Sequence, residues 1–227
     1  RQKETLLNLA KIFNGAGKKF AVIEDEWCCG SISLRIGDIE SVKPNIEHNI
    51  EQIKKTGAKK VFVACAGCYR TLKKDWPEIF GQDLPFEVVN VTEVLLDLIN
   101  DGSLKIPEKD TEVIKVAYHD PCHLGRHMDF YEPPREVIAK ISNTEMIELR
   151  RNRNNAWCCG AGGGVKSQFP ELALDIAKDR IDEAVESGID IMLTECPFCV
   201  GNLADSVKKE NSNIKVLDII DYIATKI

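Results

Sequence analysis

Nine cysteines in a chain of 227 residues fall into two arrays of nearly equal spacing. In the second array Cys122 is followed, after 35 residues, by the adjacent pair Cys158 and Cys159, and after 36 more by Cys196-Pro-Phe-Cys199. In the first, the pair Cys28 and Cys29 is followed after 35 residues by Cys65-Ala-Gly-Cys68. Adjacent cysteines bridge each other only through a strained ring, so the pairs are poor disulfide candidates; as thiolates they are compact sets of soft metal ligands. Five thiolates at one point exceed the four that a structural zinc takes, whereas iron and sulfide clusters are held by cysteine thiolates and tuned by hydrogen bonds to sulfur. The second array therefore reads as a cluster site. The first, with four thiolates, reads as either a cluster or a tetrahedral zinc site.

The segments beside the cysteines carry chemistry of their own. Gly160, Gly162, Gly163 and Gly164 follow the second CC pair, without the GK[ST] of a phosphate loop. Close approach of this backbone to a cluster, N–H groups toward sulfide, is the better fit; a glycine turn capping the next helix is the plainer alternative. Trp27 and Trp157 each precede a CC pair, to shield a metal centre from water or simply to fill core. His119, His123 and His127 recur every fourth residue, but Pro121 interrupts a helix that would align them, and cysteines already supply the ligands. His119 or His123 is instead a candidate proton or hydrogen-bond donor to a leaving thiolate, work that an ordinary imidazole pKa of about 6.5 suits. Arg126 and Lys166 are weaker candidates, as attractors for an anionic group on a substrate.

The elements that must position these residues alternate. Residues 3–23 predict a helix, a turn at Asn14-Gly15 and a short strand over 20–23; residues 39–56 predict a helix closed by Gly57. A buried strand over 60–64 then runs straight into Cys65, followed by a helix over 69–79, a strand over 86–91 and a helix near 94–99. Residues 100–113, with Asp101-Gly102 and Pro107, read as a linker. Beyond it a strand over 113–118 ends at His119-Asp120-Pro121-Cys122, and a helix over 135–141 follows the Pro133-Pro134 turn. A strand over 145–149, an amphipathic helix over 170–187, a strand over 191–194 ending at Cys196, a further helix and a last strand over 214–218 complete the plan.

Cys28 and Cys158 are 130 positions apart and Cys65 and Cys196 are 131 apart, the mark of an internal duplication. The first repeat spans 1–106 and the second 107–227. The alternation predicts an α/β fold of βαβ units with parallel sheets, in which ligands gather at the carboxyl ends of strands, where Cys65, Cys122 and Cys196 stand. The second repeat's spacing would place a further first-array cysteine about nine residues before Arg1, so the first repeat reads as truncated at its N-terminus.

A net charge of -6 leaves no electrostatic footprint for nucleic acid, which is therefore not expected as a partner. No apolar run approaches the roughly 20 residues that cross a bilayer, and no signal peptide opens the chain. An odd number of cysteines without a secretory signal argues for a reducing, cytoplasmic setting and for metal over disulfides.

Tandem CX(35)CCGX(35)CxxC arrays resemble the CCG cysteine-rich domain family, found in heterodisulfide reductase catalytic subunits and in iron-sulfur subunits of glycolate, lactate and glycerol-3-phosphate oxidising systems. The stretches EWCCGS, YHDPCHLGRH, YEPPREV, WCCGAGGGVKSQFPELALDIAKDRI and CPFC are most similar to the D-type subunit of heterodisulfide reductase, and the resemblance covers essentially the whole chain. It implies a noncubane 4Fe-4S centre in each complete array: Cys122, Cys158, Cys159, Cys196 and Cys199 at one, Cys28, Cys29, Cys65 and Cys68 at the other. Two such centres facing each other imply an iron-sulfur oxidoreductase, part of a complex, that splits or forms a small-molecule disulfide with one electron from each. The implied partners are an electron-donating redox subunit or flavoprotein, a thiol or disulfide substrate, and a membrane-bound subunit holding the chain at the inner face of a membrane. The same family also implies an alternative, an electron-transfer subunit that relays between a flavin or hydroxyacid oxidase and a quinone or ferredoxin. Two departures stand out: the first repeat lacks its first cysteine, and the CxxCxxCxxxC segments that precede the domain in D-type relatives are not in this sequence. A zinc-stabilised assembly module without redox work remains a reading of the first half.

Overall fold

A computed structural model describes residues 3–107 and 112–227. In the first repeat α1 (Lys3–Gly15) is followed by an extended surface segment, the short α2 (Ser31–Arg35) and α3 (Lys43–Thr56). Ile46 and Ile53 bury one face of α3, and Gly57, at a φ of 69°, closes it in the left-handed conformation. β1 (Lys60–Val63) leads into α4 (Ala66–Arg70), a π-helical turn at Thr71–Asp75 and α5 (Trp76–Phe80). β2 (Glu87–Asn90) pairs parallel with β1, Val61 beside Val88, and ends in a capping box: the Asn90 side chain accepts from Thr92 N–H, opening α6 (Val91–Asn100), while Glu93 reaches back to Asn90 N–H.

The second repeat holds β3 (Ile114–Tyr118), α7 (Gly125–Met128), α8 (Glu132–Ala139), β4 (Thr144–Met146), α9 (Val165–Gln168), α10 (Pro170–Glu186), β5 (Ile191–Thr194), α11 (Pro197–Lys209), β6 (Lys215–Asp218) and α12 (Ile219–Lys226). Its strands form a parallel sheet in the order β4-β3-β5-β6. β5, between two neighbours and under helices, is buried at all four residues, the unbroken apolar pattern of a strand covered on both faces. The fold is thus the α/β architecture with parallel sheets that the alternation predicts.

Both cores are shared between the repeats. One joins Ile46 and Trp76 to Leu124, Ile181 and Met192; the other joins Leu95 and Leu98 to Val137, Ile138, Ile219 and Tyr222. Among the described residues no helix is long and apolar enough to cross a membrane.

Several boundaries differ from expectation for local reasons. Residues 20–23 form no strand: Phe20 packs edge-on against Phe13 and Val22 lies exposed, and in the second repeat β4 is held by β3, for which residues 3–107 supply no counterpart. The helix expected over 135–141 begins earlier, with Pro133 and Pro134 inside the first turn of α8, where a missing N–H costs no intrahelical bond. The single helix expected over 69–79 is interrupted by the π-helical turn. In the expected linker, α6 runs to Asn100 and Leu104 is buried, while residues 108–111 lie outside the described residues.

Candidate metal centre

Because the strands of each sheet are parallel, their carboxyl ends share an edge, and the cysteines collect there. Cys65 leaves β1 in extended conformation as the N-cap of α4, and Cys196 does the same between β5 and α11, with Pro197 at the first helical position. Cys122 sits in the turn after β3, which is closed by Leu124 and Gly125 N–H groups donating to the Pro121 carbonyl. The CC pairs lie in two copies of one turn. Gly30 and Gly160 both have a φ of 84°, and their N–H groups donate to Cys28 Sγ at 3.5 Å and Cys158 Sγ at 3.3 Å. Both glycines are also sterically fixed: a Cβ on Gly160 would stand 2.6 Å from the Ala173 carbonyl oxygen.

Within each array the sulfurs form a hydrogen-bonded series of the same order. In the first it runs Cys28, Cys29, Cys68, Cys65, with the Cys68 thiol donating to Cys29 Sγ at 3.2 Å. In the second it runs Cys158, Cys159, Cys199, Cys196, and Cys122 is joined to Cys158 as a fifth member. Thiols this close share protons unequally. The bond from Cys68 draws Cys65 down to about 7 against the effect of burial, while bonding to Cys29 and Cys65 pushes Cys68 up. Bonds from Cys122 and Cys159 hold Cys158 far below an ordinary thiol, and Cys122, Cys159 and Cys199 are pushed up. All nine cysteines are free. Such a set can be discharged together by a soft cation, which takes every ligand as thiolate.

The second array faces a cavity of about 40 Å³ that the first repeat helps to enclose. All five of its cysteines line it, with Gly162, Gly163, Phe198 and His123 from the same repeat and Ser31, Ile32, Arg35 and Gly67 from the other. Gly67 needs to be small: a Cβ there would meet Ser31 Oγ at 3.3 Å and His123 Nδ1 at 3.4 Å. Arg35 is held by Asp75 at 2.6 Å.

The remaining predicted residues separate. His123 is at the cavity, and burial foremost, then His127 and Arg35, lower its pKa. His119 is not at the cavity wall but fully buried behind it, with one ring nitrogen and the Cys159 and Cys199 sulfurs all within 4.8 Å of one another. Burial, then the Arg180 charge, drops its pKa to about 3. His127 packs on His123, ring centres 5.5 Å apart. Gly164, at a φ of 82°, caps α9 and does not line the cavity. Trp27 stacks on His48 and Trp157 lies under Arg151, and neither lines the cavity. Arg126 and Lys166 are committed elsewhere, Arg126 to the Asn154 and Ala156 carbonyls and Lys166 to Asp205 at 2.5 Å.

Two buried charged residues were not foreseen. Glu195, beside Cys196, contacts the Thr92 hydroxyl and accepts from Tyr118 Oη at 3.1 Å; burial foremost raises its carboxyl to about 7. Arg180 is fully enclosed against His119. The duplication carried a signal for both, since Ala64 precedes Cys65 where Glu195 precedes Cys196, and Asn49 stands 131 positions before Arg180.

A family model described as "CCG: Cysteine-rich domain" matches residues 1–73 and 116–204. The chain is 44% identical over 219 residues to the D-type subunit of the dihydromethanophenazine:CoB–CoM heterodisulfide reductase of Methanosarcina acetivorans, a match covering 95% of this chain and 53% of that protein. It is 33% identical over 224 residues to the B-type subunit of the fumarate reductase (CoM/CoB) of Methanothermobacter marburgensis, covering 98% of this chain and 43% of that one. It is also 33% identical over 225 residues to the EtfAB:quinone oxidoreductase of Syntrophomonas wolfei subsp. wolfei, covering 95% and 31%. The chain spans about half, or less, of the length of these curated relatives.

Proposed function

Since the chain belongs to the CCG cysteine-rich domain family, we propose that it is the cluster-bearing part of an iron-sulfur oxidoreductase that reduces, or reversibly forms, a small-molecule disulfide. The observation that carries this reading is the set of five sulfurs lining one cavity that residues of the other half help to close. The donors are all sulfur, one more than a tetrahedral zinc takes, and the Gly160 N–H already points at one of them, as fits a cluster whose sulfurs need hydrogen bonds. Cys122, Cys158, Cys159, Cys196 and Cys199 would hold a 4Fe-4S centre of noncubane type, and Cys28, Cys29, Cys65 and Cys68 a second centre, or zinc. When bound, such centres supply single electrons and an iron open to a substrate sulfur.

The chain's own residues do the rest. Cleaving one S–S bond takes two electrons, and two protons release both products as thiols. His123, at the cavity and with its pKa lowered by burial foremost, can take up one of those protons at a ring nitrogen and pass it on. Ile32 and Phe198 give the mouth an apolar edge, and Gly67 and Gly163 leave room for a substrate sulfur to approach. Electrons would come from a redox subunit or flavoprotein, a reading supported by the subunit and EtfAB names of the relatives, and a membrane-bound subunit is proposed as a further partner.

Similarity to the EtfAB:quinone oxidoreductase supports a second reading, in which the same centres only relay electrons. Iron and acid-labile sulfide analysis of anaerobically purified chain tests the shared premise; stoichiometric zinc without sulfide rejects it. Anaerobic titration with thiol pairs separates the readings: a disulfide-active site oxidises thiols with a spectral change, and a relay does neither.

A further inference from the structure

The guanidinium of Arg180 is fully buried in the protein, and its bonds fix the protonation of its neighbour. Its Nη1 donates to the Arg151 carbonyl at 2.7 Å and to Glu183 Oε2 at 2.5 Å, and its Nε donates to His119 Nδ1 at 3.1 Å. Arginine has no acceptor, so His119 Nδ1 must offer its lone pair. A neutral imidazole with a bare Nδ1 carries its proton on Nε2. That Nε2 is buried and, among the described residues, has no partner, an unfavourable arrangement for a neutral donor. A ring nitrogen of His119 lies within 4.8 Å of the Cys159 and Cys199 sulfurs, and with Nδ1 engaged by Arg180 these sulfurs are the candidates to receive Nε2–H.

We propose that His119 is a positioning residue, neither metal ligand nor proton carrier, whose Nε2–H donates to sulfur at the second array, and that Arg180 imposes the tautomer that makes this possible. The proposal rests on the metal-centre reading for the identity of the acceptor, thiolate or sulfide; the tautomer follows from the Arg180 bond alone. Ligation through Nε2 would need the proton moved to Nδ1, against the Arg180 N–H. Proton delivery from Nε2 would need Nδ1 to take up a proton against the same group. In the first array the Arg180 half of the device is replaced. Asn49, in the register position of Arg180, instead clamps the Trp27 backbone, its Oδ1 accepting from Trp27 N–H and its Nδ2 donating to the Trp27 carbonyl, both at 2.9 Å. A hydrogen bond to sulfur stabilises the electron-rich state, so it raises the potential of the second centre.

The test uses the unaltered chain, purified anaerobically with 15N-labelled histidine, and iron and sulfide analysis first settles the metal-centre reading independently. If iron and sulfide are present, pulsed EPR of the reduced second centre should show a weakly coupled His119 nitrogen and a solvent-exchangeable proton. Strong coupling from a metal-bound nitrogen, or no exchangeable proton, overturns the proposal. If the site is diamagnetic, 15N NMR should find Nε2 protonated and Nδ1 bare; a proton on Nδ1 overturns it. For the iron-loaded chain, His119→Phe should lower the midpoint potential of the second centre alone, whereas His119→Gln, which can keep an N–H toward sulfur and an oxygen toward Arg180, should restore most of it. An unchanged potential in His119→Phe at full iron content also overturns the proposal.

Discussion

Ala66 N–H donates to the Glu195 carbonyl at 3.1 Å, so the turn that carries Cys65 is bonded to the turn that carries Cys196. The Glu195 side chain makes a second tie. The Thr92 hydroxyl has one proton, yet it contacts both Asn90 Oδ1, at 2.7 Å, and Glu195 Oε2. Asn90 Oδ1 cannot donate, and its orientation is set by the Thr92 N–H that it accepts at 2.7 Å. One of the two contacts is therefore without that proton, and a Glu195 carboxyl raised by burial to about 7 can supply one near neutral pH, joining the two halves as a neutral group when it does.

Glu195→Gln should accordingly be tolerated, since the amide keeps a donor for Thr92 and an acceptor for Tyr118. A loss below about 1 kcal/mol is expected for it, against about 1–3 kcal/mol or more for Glu195→Ala, which leaves the buried Thr92 and Tyr118 hydroxyls short of a partner. Urea unfolding midpoints of the two variants check this. Equal damage from both would mean that Glu195 is held as a carboxylate.

A pH dependence follows from the cap of α12. Asp218 Oδ1 accepts from Ile220 N–H at 3.0 Å, while Oδ2 is buried without a partner, and burial foremost raises the carboxyl well above its ordinary range. The folded pKa exceeds the unfolded value of about 3.9, so the folded state binds the proton more tightly. The corresponding stability is complete at acid pH and is lost as pH rises from the unfolded value through the raised one. Asp218→Asn keeps the capping oxygen, as Asn90 does at α6, and removes the charge. It should be more stable than the parent at pH 8, by an amount that fades as the pH falls toward about 4. Thermal unfolding across that range checks the slope, and a pH-independent difference would reject the argument.

The parallel strands and the duplicated arrays were legible in the sequence because both are periodic features of residue type. β5 is a run of four apolar or β-branched residues, and CC and CxxC recur at nearly fixed distance. Residues 20–23 misled because an apolar run forms a strand only where a neighbour pairs with it, and none does among the described residues. Arg180 and Glu195 were illegible for another reason. A charged residue on an amphipathic helix or at a strand end is usually solvated, and only the three-dimensional juxtaposition of α10 with His119, and of β5 with Thr92, shows that these two are enclosed. The glycine run was legible as a group but not residue by residue.

That distinction is testable. Gly160→Ala combines a φ of 84° with a Cβ placed 2.6 Å from the Ala173 carbonyl oxygen, so α10 or the CC turn must shift, at a cost of about 1–3 kcal/mol or more. Gly162→Ala meets nothing within 4 Å and its φ is not in the left-handed region. It should stay within about 0.5 kcal/mol of the parent. Unfolding midpoints, with metal content measured alongside, should separate the two, and equal effects would assign the glycines a common role toward the bound group instead.

The two arrays can be told apart by which cysteine controls which metal. Cys159 is buried and linked to both Cys158 and Cys199, so Cys159→Ser should empty the second site and remove about half of the iron and sulfide if both arrays hold clusters. Cys29→Ser should do the converse at the first, through its bond with Cys68. Cys28 is exposed where its counterpart Cys158 is half-buried. The more exposed ligand should make the first centre the more readily lost to a chelator, and this order of loss is the expected outcome when iron is followed against time in excess chelator. If Cys29→Ser instead releases zinc and leaves the iron untouched, the first array is a structural site, and redox work belongs to the five-sulfur array alone.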